Sequence, residues 1–492
     1  MIALPILAAA FPLLGSLAGL ITARARLAGL ATIVGALLGL ILAVATAVVV
    51  IPGQPLQSSG SFIYVDGLGA FFAITVAIVV FLASLGSFSY IATEQRRGVL
   101  SSRRIRVYFV VFGLFATSMM GAVETANLGL LFILVEAATL ASVVMVPIEG
   151  RTEGLEAGWK YVIISSLGIT IALAGTLFVF YAATGLAGSP DQHLTWAYLV
   201  AHARHLSPVG VRLGFLLAVI GYGTKVGLAP MHTWLPDAHS EAPSPASAML
   251  SGALLNVGMY AIIRFVAIAN GRLGPAYASH VLLVFGFLSI AVGAFFMIHR
   301  RDFKRLFAYS SVEHMGIIAV GLGFGGVLGL YGALLHTLNH SIGKAVLFLT
   351  GGTLVLAYGT RRTDRIGGAL TSLPLTGGAL LIGSLAIVGS PPFGLFISEF
   401  IILRAGLAAA YPALVGLFLL LLVIVFVGFM HTTSGMAVGQ PPAAVVSPYR
   451  GRVERWSAAL PLLLGLCGLL LLGLWIPGWL NTLLLHSVAL IR

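Results

Sequence analysis

The chain has 492 residues, 59% of them hydrophobic and only 9% charged, against roughly a quarter charged in an ordinary soluble domain. Apolar runs long enough to cross a hydrocarbon core of about 30 Å recur from the first residues to the last, so no separate soluble domain is left over and the class is an all-α, polytopic membrane protein. The net charge of +12 does not require a nucleic-acid partner, because the basic residues are spread over short connections between apolar runs.

The N-terminal stretch "MIALPILAAAFPLLGSLAGLITARAR" lacks a basic n-region and a cleavage site, and reads as a retained first helix. Spans are expected at 2–22, 27–51, 66–92, 105–122, 126–148, 159–184, 211–235, 243–268, 277–298, 305–323, 326–358, 374–408, 411–436 and 458–485, about fourteen in all. Alternate connections differ in charge. One set carries Arg24 and Arg26, the cluster Arg96, Arg97, Arg103, Arg104 and Arg106, then Arg151, Lys160, "HRRDFKR" (299–305), "RRTDR" (361–365), and Arg450, Arg452 and Arg455. The other holds little beyond Arg204, Arg212, Arg272, Arg404 and Arg492. By the positive-inside rule the first set faces the cytoplasm of a bacterial plasma membrane and both termini lie outside. Arg264, near the outer end of its span, is expected to snorkel.

The seventh and twelfth spans are punctuated by Gly and Pro, in "GYGTKVGLAPMHTWLPD" (221–237) and "GSLAIVGSPPFGLFISEF" (383–400). Each pairs a helix break with an ionisable residue, Lys225 in one and Glu399 in the other. Non-helical backbone at membrane depth survives only where protein or a hydrated cavity satisfies it. Breaks five spans apart point to two inverted five-helix repeats, 105–268 and 277–436, after N-terminal helices in 1–104 and before a C-terminal loop and helix in 437–492, all within one transmembrane domain. The connections 51–65, 185–210 and 437–457 carry no recognisable chemistry. A single cysteine, Cys467, reads as a small buried hydrophobe; one thiol cannot hold an iron–sulfur cluster or a structural zinc.

Glu136, in "LGLLFILVEAATLASVVMV", stands alone in an apolar run, as do Lys225, His336, His340, Lys344 and Glu399. A charge at a helix centre costs roughly 2.5–3.5 kcal/mol. The two lysines and two glutamates together therefore cost on the order of 10 kcal/mol, comparable to the net stability of a typical domain. Ion pairs gluing helices together are a poor reason to keep them, since apolar replacements often serve as well. In "LLHTLNHSIGKAVLFL" (334–349) a step of four advances each side chain by only about 40°, so His336, His340 and Lys344 form one stripe about 12 Å long. That spacing suits a relay with one or two waters in each gap. The lysine, and the lack of a nearby carboxylate in the chain, argue against a metal at the two histidines. A contact such as Glu136–Lys225, made and broken, shifts a lysine between proton-holding and proton-releasing states.

Six further residues are expected at the path or its supports. Glu313 and His314, in "AYSSVEHMG", fit either interface polarity with a salt bridge to Lys304 or Arg305, or proton entry. His232, Asp237, His239 and Glu241, in "MHTWLPDAHSEAPSP", fit capping and fixing of the break after Lys225.

The strings "KVGLAPMHTWLPDAHSEAPSPASAMLSGALLNVGMYAIIRF" (225–265) and "DFKRLFAYSSVEHMG" (302–316) resemble the antiporter-like proton-pumping subunits of respiratory complex I, Mrp-type cation/proton antiporters and energy-converting hydrogenases. "SSVEHMG", "LNHSIGKAVLF" and "GSPPFGLFISEF" look most like the F-type subunit of hydrogenase-4 and formate hydrogenlyase complexes. The resemblance implies fourteen helices, broken helices seven and twelve, and a midplane row in which Glu136, Lys225, His336, His340, Lys344 and Glu399 carry protons. It also implies no cofactor in this chain, with nickel–iron and iron–sulfur centres in hydrogenase-like and ferredoxin-like partner subunits. Asn256 departs from the complex I pattern, which often has lysine there; Asn cannot hold a proton, so the link between the halves is expected to run through water or the histidines. The alternatives are a sodium/proton antiporter subunit and a non-pumping membrane anchor.

Overall fold

The computed structural model describes residues 1–22, 24–51, 53–58, 62–298, 300–440 and 456–492. His299 and the basic residues Arg450, Arg452 and Arg455 therefore lie outside the described residues. Among the described residues, thirteen helices are long and apolar enough to cross a membrane. They begin with α1 (Ala3–Ile21), α2 (Ala25–Val50), α3 (Gly67–Arg96), α4 (Ser102–Val123), α5 (Leu128–Met145), α6 (Thr152–Ala182) and α7 (Pro208–Val226). Next come α8 (Ser244–Leu273), α9 (Pro275–Met297), α10 (Phe303–Phe324) and α11 (Gly326–Tyr358). The expected span at 374–408 is two shorter apolar helices, α12 (Pro374–Ile387) and α13 (Gly394–Ala408). The last are α14 (Pro412–Val438), α15 (Trp456–Leu474) and α16 (Gly478–Ile491). A two-residue hairpin, β1 (Leu56–Gln57) with β2 (Tyr64–Val65), pairs antiparallel before α3.

Several helix starts follow from local chemistry. Asp66, Asn127 and Asp302 cap α3, α5 and α10, each side-chain oxygen accepting from one or two of the first backbone amides; those amides have no partner within the helix itself. Two expected boundaries need correction. The seventh span does not run to 235: α7 ends at Val226, where Gly227 at φ +79° turns the chain, and a short helix, Leu235–Glu241, follows. The final span of 458–485 is interrupted between Leu474 and Gly478.

The layering is inverted relative to a water-soluble protein. α14, the most apolar helix, is largely exposed, whereas α8, α10 and α11, which carry the polar residues, are almost wholly buried. With hydrocarbon outside, apolar side chains gain nothing by facing inward, so the interior is where polar groups can find partners. α11 is the hub, packing against α3, α10, α12, α13, α15 and the start of α8.

Arg264 does not snorkel. It is 1% exposed, and its two terminal nitrogens donate to the Asp66 carboxylate at 2.9 and 2.6 Å. Its guanidinium lies 3.6 Å from the centroid of the Trp196 ring and 4.8 Å from that of Tyr260. Trp196 itself donates to the Thr125 carbonyl and meets Tyr64 edge-on. Burial first, and the Asp66 carboxylate next, raise the Tyr64 phenol above its ordinary value. The stretches 51–65 and 185–210 thus supply two walls of a buried ion-pair site. Cys467 is also corrected: it is exposed on α15.

Removing one partner of a buried pair strands the other charge, at a cost of about 3–5 kcal/mol. Asp66→Ala is expected to lower the thermal unfolding midpoint of the purified protein clearly, and adding Arg264→Met to restore most of the loss. Unequal recovery by a control such as Arg272→Met distinguishes pair loss from general weakening.

Candidate functional site

The first group of polar side chains surrounds the end of α7. Lys225 is 1% exposed, and among the described residues its Nζ has no hydrogen-bond partner. It faces aromatic rings instead, 5.0 Å from the centroid of Tyr161 and 5.8 Å from that of Trp234. These rings stack at 4.4 Å, and both are pinned: the Tyr161 hydroxyl pairs with Ser142 Oγ at 2.7 Å, and Trp234 Nε1 donates to the Thr224 carbonyl at 2.7 Å. The Trp234 bond closes the break, since Thr224 is in the last turn of α7 and Trp234 lies past Gly227. Glu136 does not touch Lys225. No ion pair joins them among the described residues; Glu136 is half-buried and accepts from Ser166 at 3.0 Å. Ser166 and the paired Tyr161 both sit on α6, which stands beside α5 and α7.

The second group lies between α10, α11 and α13. His336 Nε2 is 3.0 Å from His314 Nδ1, and His336 Nδ1 is 2.9 Å from Ser398 Oγ. His314 Nε2 is 3.5 Å from Glu313 Oε2. His340 is fully buried, its ring 5.4 Å from that of His314, with both ring nitrogens unpaired among the described residues. Lys344 donates to the Phe307 carbonyl at 3.0 Å and to Ser310 Oγ at 2.6 Å. The stripe on α11 therefore meets a second stripe on α10, at positions 307, 310 and 314, and the gap between His336 and Lys344 is bordered by side chains from both helices. Glu313 and His314 are not interface residues: each is 1% exposed. The anticipated salt bridge from Glu313 to Lys304 or Arg305 is absent, because Lys304 donates to the Ala242 carbonyl and Arg305 pairs with Asp237 at 2.7 Å.

Glu399 sits one turn into α13, beyond the break. Its carboxylate fills the space a side chain at Gly389 would take. Gly389 also has φ +70°, so that position accepts glycine on two counts. Ser251 to Ser311 at 2.8 Å, and Asn256 to Ser341 at 2.6 Å, tie α8 to α10 and α11. These contacts lie at or beside a turn of π-helix, Leu250–Leu254. Asn256 also donates to the Gly252 carbonyl at 2.8 Å.

Asp237 and Glu241 belong to a charged cleft at the face bearing the basic connections. Asp237 pairs with Arg305 and with Lys160 at 3.3 Å, Glu241 with Arg361 at 2.7 Å. His232 is nearly buried near Tyr309. His239 is fully buried between Trp234 and Phe348, with neither ring nitrogen bonded among the described residues.

Folding also removes one of the two grounds for dismissing a metal. No carboxylate is near His336 in the chain, but ligand atoms of His314, His336 and Glu399 all lie within 4.8 Å of one another. The sequence singled out Lys225, His336, His340, Lys344 and Glu399 but not Tyr161 and Trp234, which face Lys225, nor Ser310 and Ser398, which bond Lys344 and His336. Small hydroxyls and aromatics are common in membrane helices, so only "HTWLPD", beside a break, carried a usable signal.

The family model for the transmembrane part of NADH:quinone oxidoreductase and Mrp antiporter subunits matches residues 125–425. The chain belongs to this family. The matched region includes every polar residue from Glu136 to Glu399 described above. A hydrogenase-4 component F homolog from Methylacidiphilum infernorum (isolate V4) is 42% identical over 349 residues, covering 71% of this chain and 73% of the relative. A chain of the membrane-bound sulfane sulfur reductase, an archaeal respiratory membrane complex, superposes with a TM-score of 0.84 at 25% identity, covering 100% of this chain and 96% of that one. A chain of respiratory complex I from Thermus thermophilus with bound NADH gives 0.82 at 27% identity, covering 99% of each. This is an antiporter-like, multi-pass membrane subunit of the complex I and hydrogenase-4 lineage.

In such a subunit a lysine with no acceptor is a stability liability: cation–π contacts return about 0.5–2 kcal/mol, less than the several kcal/mol of effective cost for a buried ion. Lys225→Met is accordingly expected to raise the thermal midpoint, or leave it unchanged, in a detergent unfolding scan. A marked fall would mean that the amine has a partner that stabilises it.

Proposed function

We propose that this subunit translocates protons through the buried row Glu136, Lys225, His336, His340, Lys344 and Glu399, within a multi-subunit redox complex of the hydrogenase-4, formate hydrogenlyase or complex I kind. The observation that carries the reading is the state of Lys225: an amine enclosed in the bundle, beside a helix break, held by rings and not by a carboxylate. Among the described residues no carboxylate stands against Lys225, and an approaching one would pair with its amine. Glu136, bound to Ser166 and free of Lys225, is the carboxylate able to make that approach. At the other end, the His314–His336 contact is a hydrogen bond in which one imidazole donates and the other accepts, the arrangement a proton relay requires.

The supporting roles are proposed as follows. Asn256 bridges α8 and α11 by hydrogen bonds without holding a proton. Glu313 and His314 belong to the path, since they are buried among its members. Asp237 acts at the charged mouth, and His232 supports the break. We propose the plasma membrane of a bacterium as the location, with the basic connections inward and both termini outward. The row runs through two inverted repeats, 105–268 and 277–436, inside one transmembrane domain. Nickel–iron and iron–sulfur centres belong to hydrogenase-like and ferredoxin-like partner subunits, and their redox steps drive the transport.

A second reading, sodium/proton exchange, is supported by the family's Mrp members, and a third is a non-pumping anchor. In the reconstituted complex, Lys225→Ala is expected to abolish proton translocation while leaving assembly intact, followed by a pH-sensitive dye inside vesicles. Undiminished pumping would support the anchor. Glu399→Gln is expected to slow proton release more than uptake; pumping equal to the parent complex would remove Glu399 from the path. Translocation that requires sodium would favour exchange.

A further inference from the structure

We propose that His314, His336 and Glu399 form a binding site for one divalent transition-metal ion of the zinc class. Two imidazole nitrogens and a carboxylate oxygen are a donor set that such ions take, with a fourth position open. Tetrahedral bonding at roughly 2.0–2.1 Å places two ligand nitrogens about 3.3 Å apart. His314 Nδ1 and His336 Nε2, at 3.0 Å, are already near that separation. A Glu399 carboxylate oxygen completes a set of three ligand atoms, one from each residue, that all lie within 4.8 Å of one another.

The surroundings match what metal-binding histidines need. A ligating imidazole is oriented by a partner on its other nitrogen. Here His336 Nδ1 meets Ser398 Oγ at 2.9 Å, and His314 Nε2 faces Glu313 Oε2 at 3.5 Å. The His336 ring is thus held by a hydroxyl on its far nitrogen, while His314 turns its far nitrogen towards a carboxylate oxygen that has no hydrogen-bond partner among the described residues. His340 supplies a second, independent sign: fully buried, its ring adjoining His314, it leaves both nitrogens unpaired. Access exists at the break, where Pro391 and Pro392 are exposed and Gly389, against the Glu399 carboxylate, is half-buried. The opposing charge is Lys344, whose Nζ is directed to Phe307 and Ser310; Ser310 lies about 6 Å along α10 from His314.

Binding is an equilibrium property and stands apart from the transport reading. If protons do pass here, a seated ion takes the place of the proton shared by the two imidazoles and stops them.

The test uses the full-length chain carrying Cys467→Ser in lipid nanodiscs, stripped with a chelator and titrated with Zn²⁺ against a chromophoric competitor. One ion per chain is expected. His336→Gln and Glu399→Gln should each weaken binding at least tenfold, and Ser398→Ala by about tenfold, while His431→Gln, an exposed histidine elsewhere, should leave it unchanged. Zinc-edge X-ray absorption of the unsubstituted site should show two imidazoles with oxygen completing the shell, a readout independent of how the variants fold. Zinc held equally by the parent, His336→Gln and Glu399→Gln chains, or a spectrum without imidazole scattering, overturns the proposal.

Discussion

A charged side chain withdrawn from water into a bilayer keeps most of its energetic penalty unless the protein replaces the lost hydration, and each ionisable group in this bundle is met differently. Arg264 has a bidentate carboxylate and two ring faces. Lys344 has a backbone carbonyl and a hydroxyl. His314 and His336 have each other. Lys225 has aromatic faces alone. The gradation runs from a charge clamped by its counter-ion to one with none. A bidentate pair fixes geometry as well as charge, whereas Lys225 has no carboxylate against it among the described residues.

Helix breaks are what make such places available. An unbroken helix uses its carbonyls and amides within itself, although Lys344 still reaches the Phe307 carbonyl of α10. At the end of α7 the turn at Gly227 brings Trp234 back over Lys225, and its indole donates to the Thr224 carbonyl, which also accepts from the Gly227 amide. Between α12 and α13 the turn at Gly389 leaves a hollow that the Glu399 carboxylate occupies. The π-helical turn in α8 does related work on a smaller scale, bringing Ser251 and Asn256 to partners on α10 and α11.

The membrane class, nearly all helix positions and both breaks were legible in the chain, because hydropathy and Gly-Pro punctuation act locally. The single stripe of His336, His340 and Lys344 was legible from helical periodicity alone. What periodicity left out was the partner of each. Glu399 is 63 residues from His336 in the numbering yet shares its site, and Asp66 is 198 residues from Arg264. Arg264 was read as reaching outward because a cation near a span's end ordinarily does. A carboxylate at the start of α3 and a tryptophan from a connection without apparent chemistry changed its direction. Cys467 departs for the opposite reason: with lipid outside, an apolar side chain on the outer face of α15 loses nothing by exposure.

The distance between Asp66 and Arg264 in the chain also bears on biogenesis. The carboxylate leaves the ribosome long before the guanidinium that neutralises it, and five helices, α3 to α7, are threaded into the bilayer in the interval. The nascent chain must keep the head of α3 at the lipid headgroups, or in the company of the insertion machinery, until α8 arrives. Closure of that clasp then marks the moment when the early and middle helices cease to be independent spans and become one body.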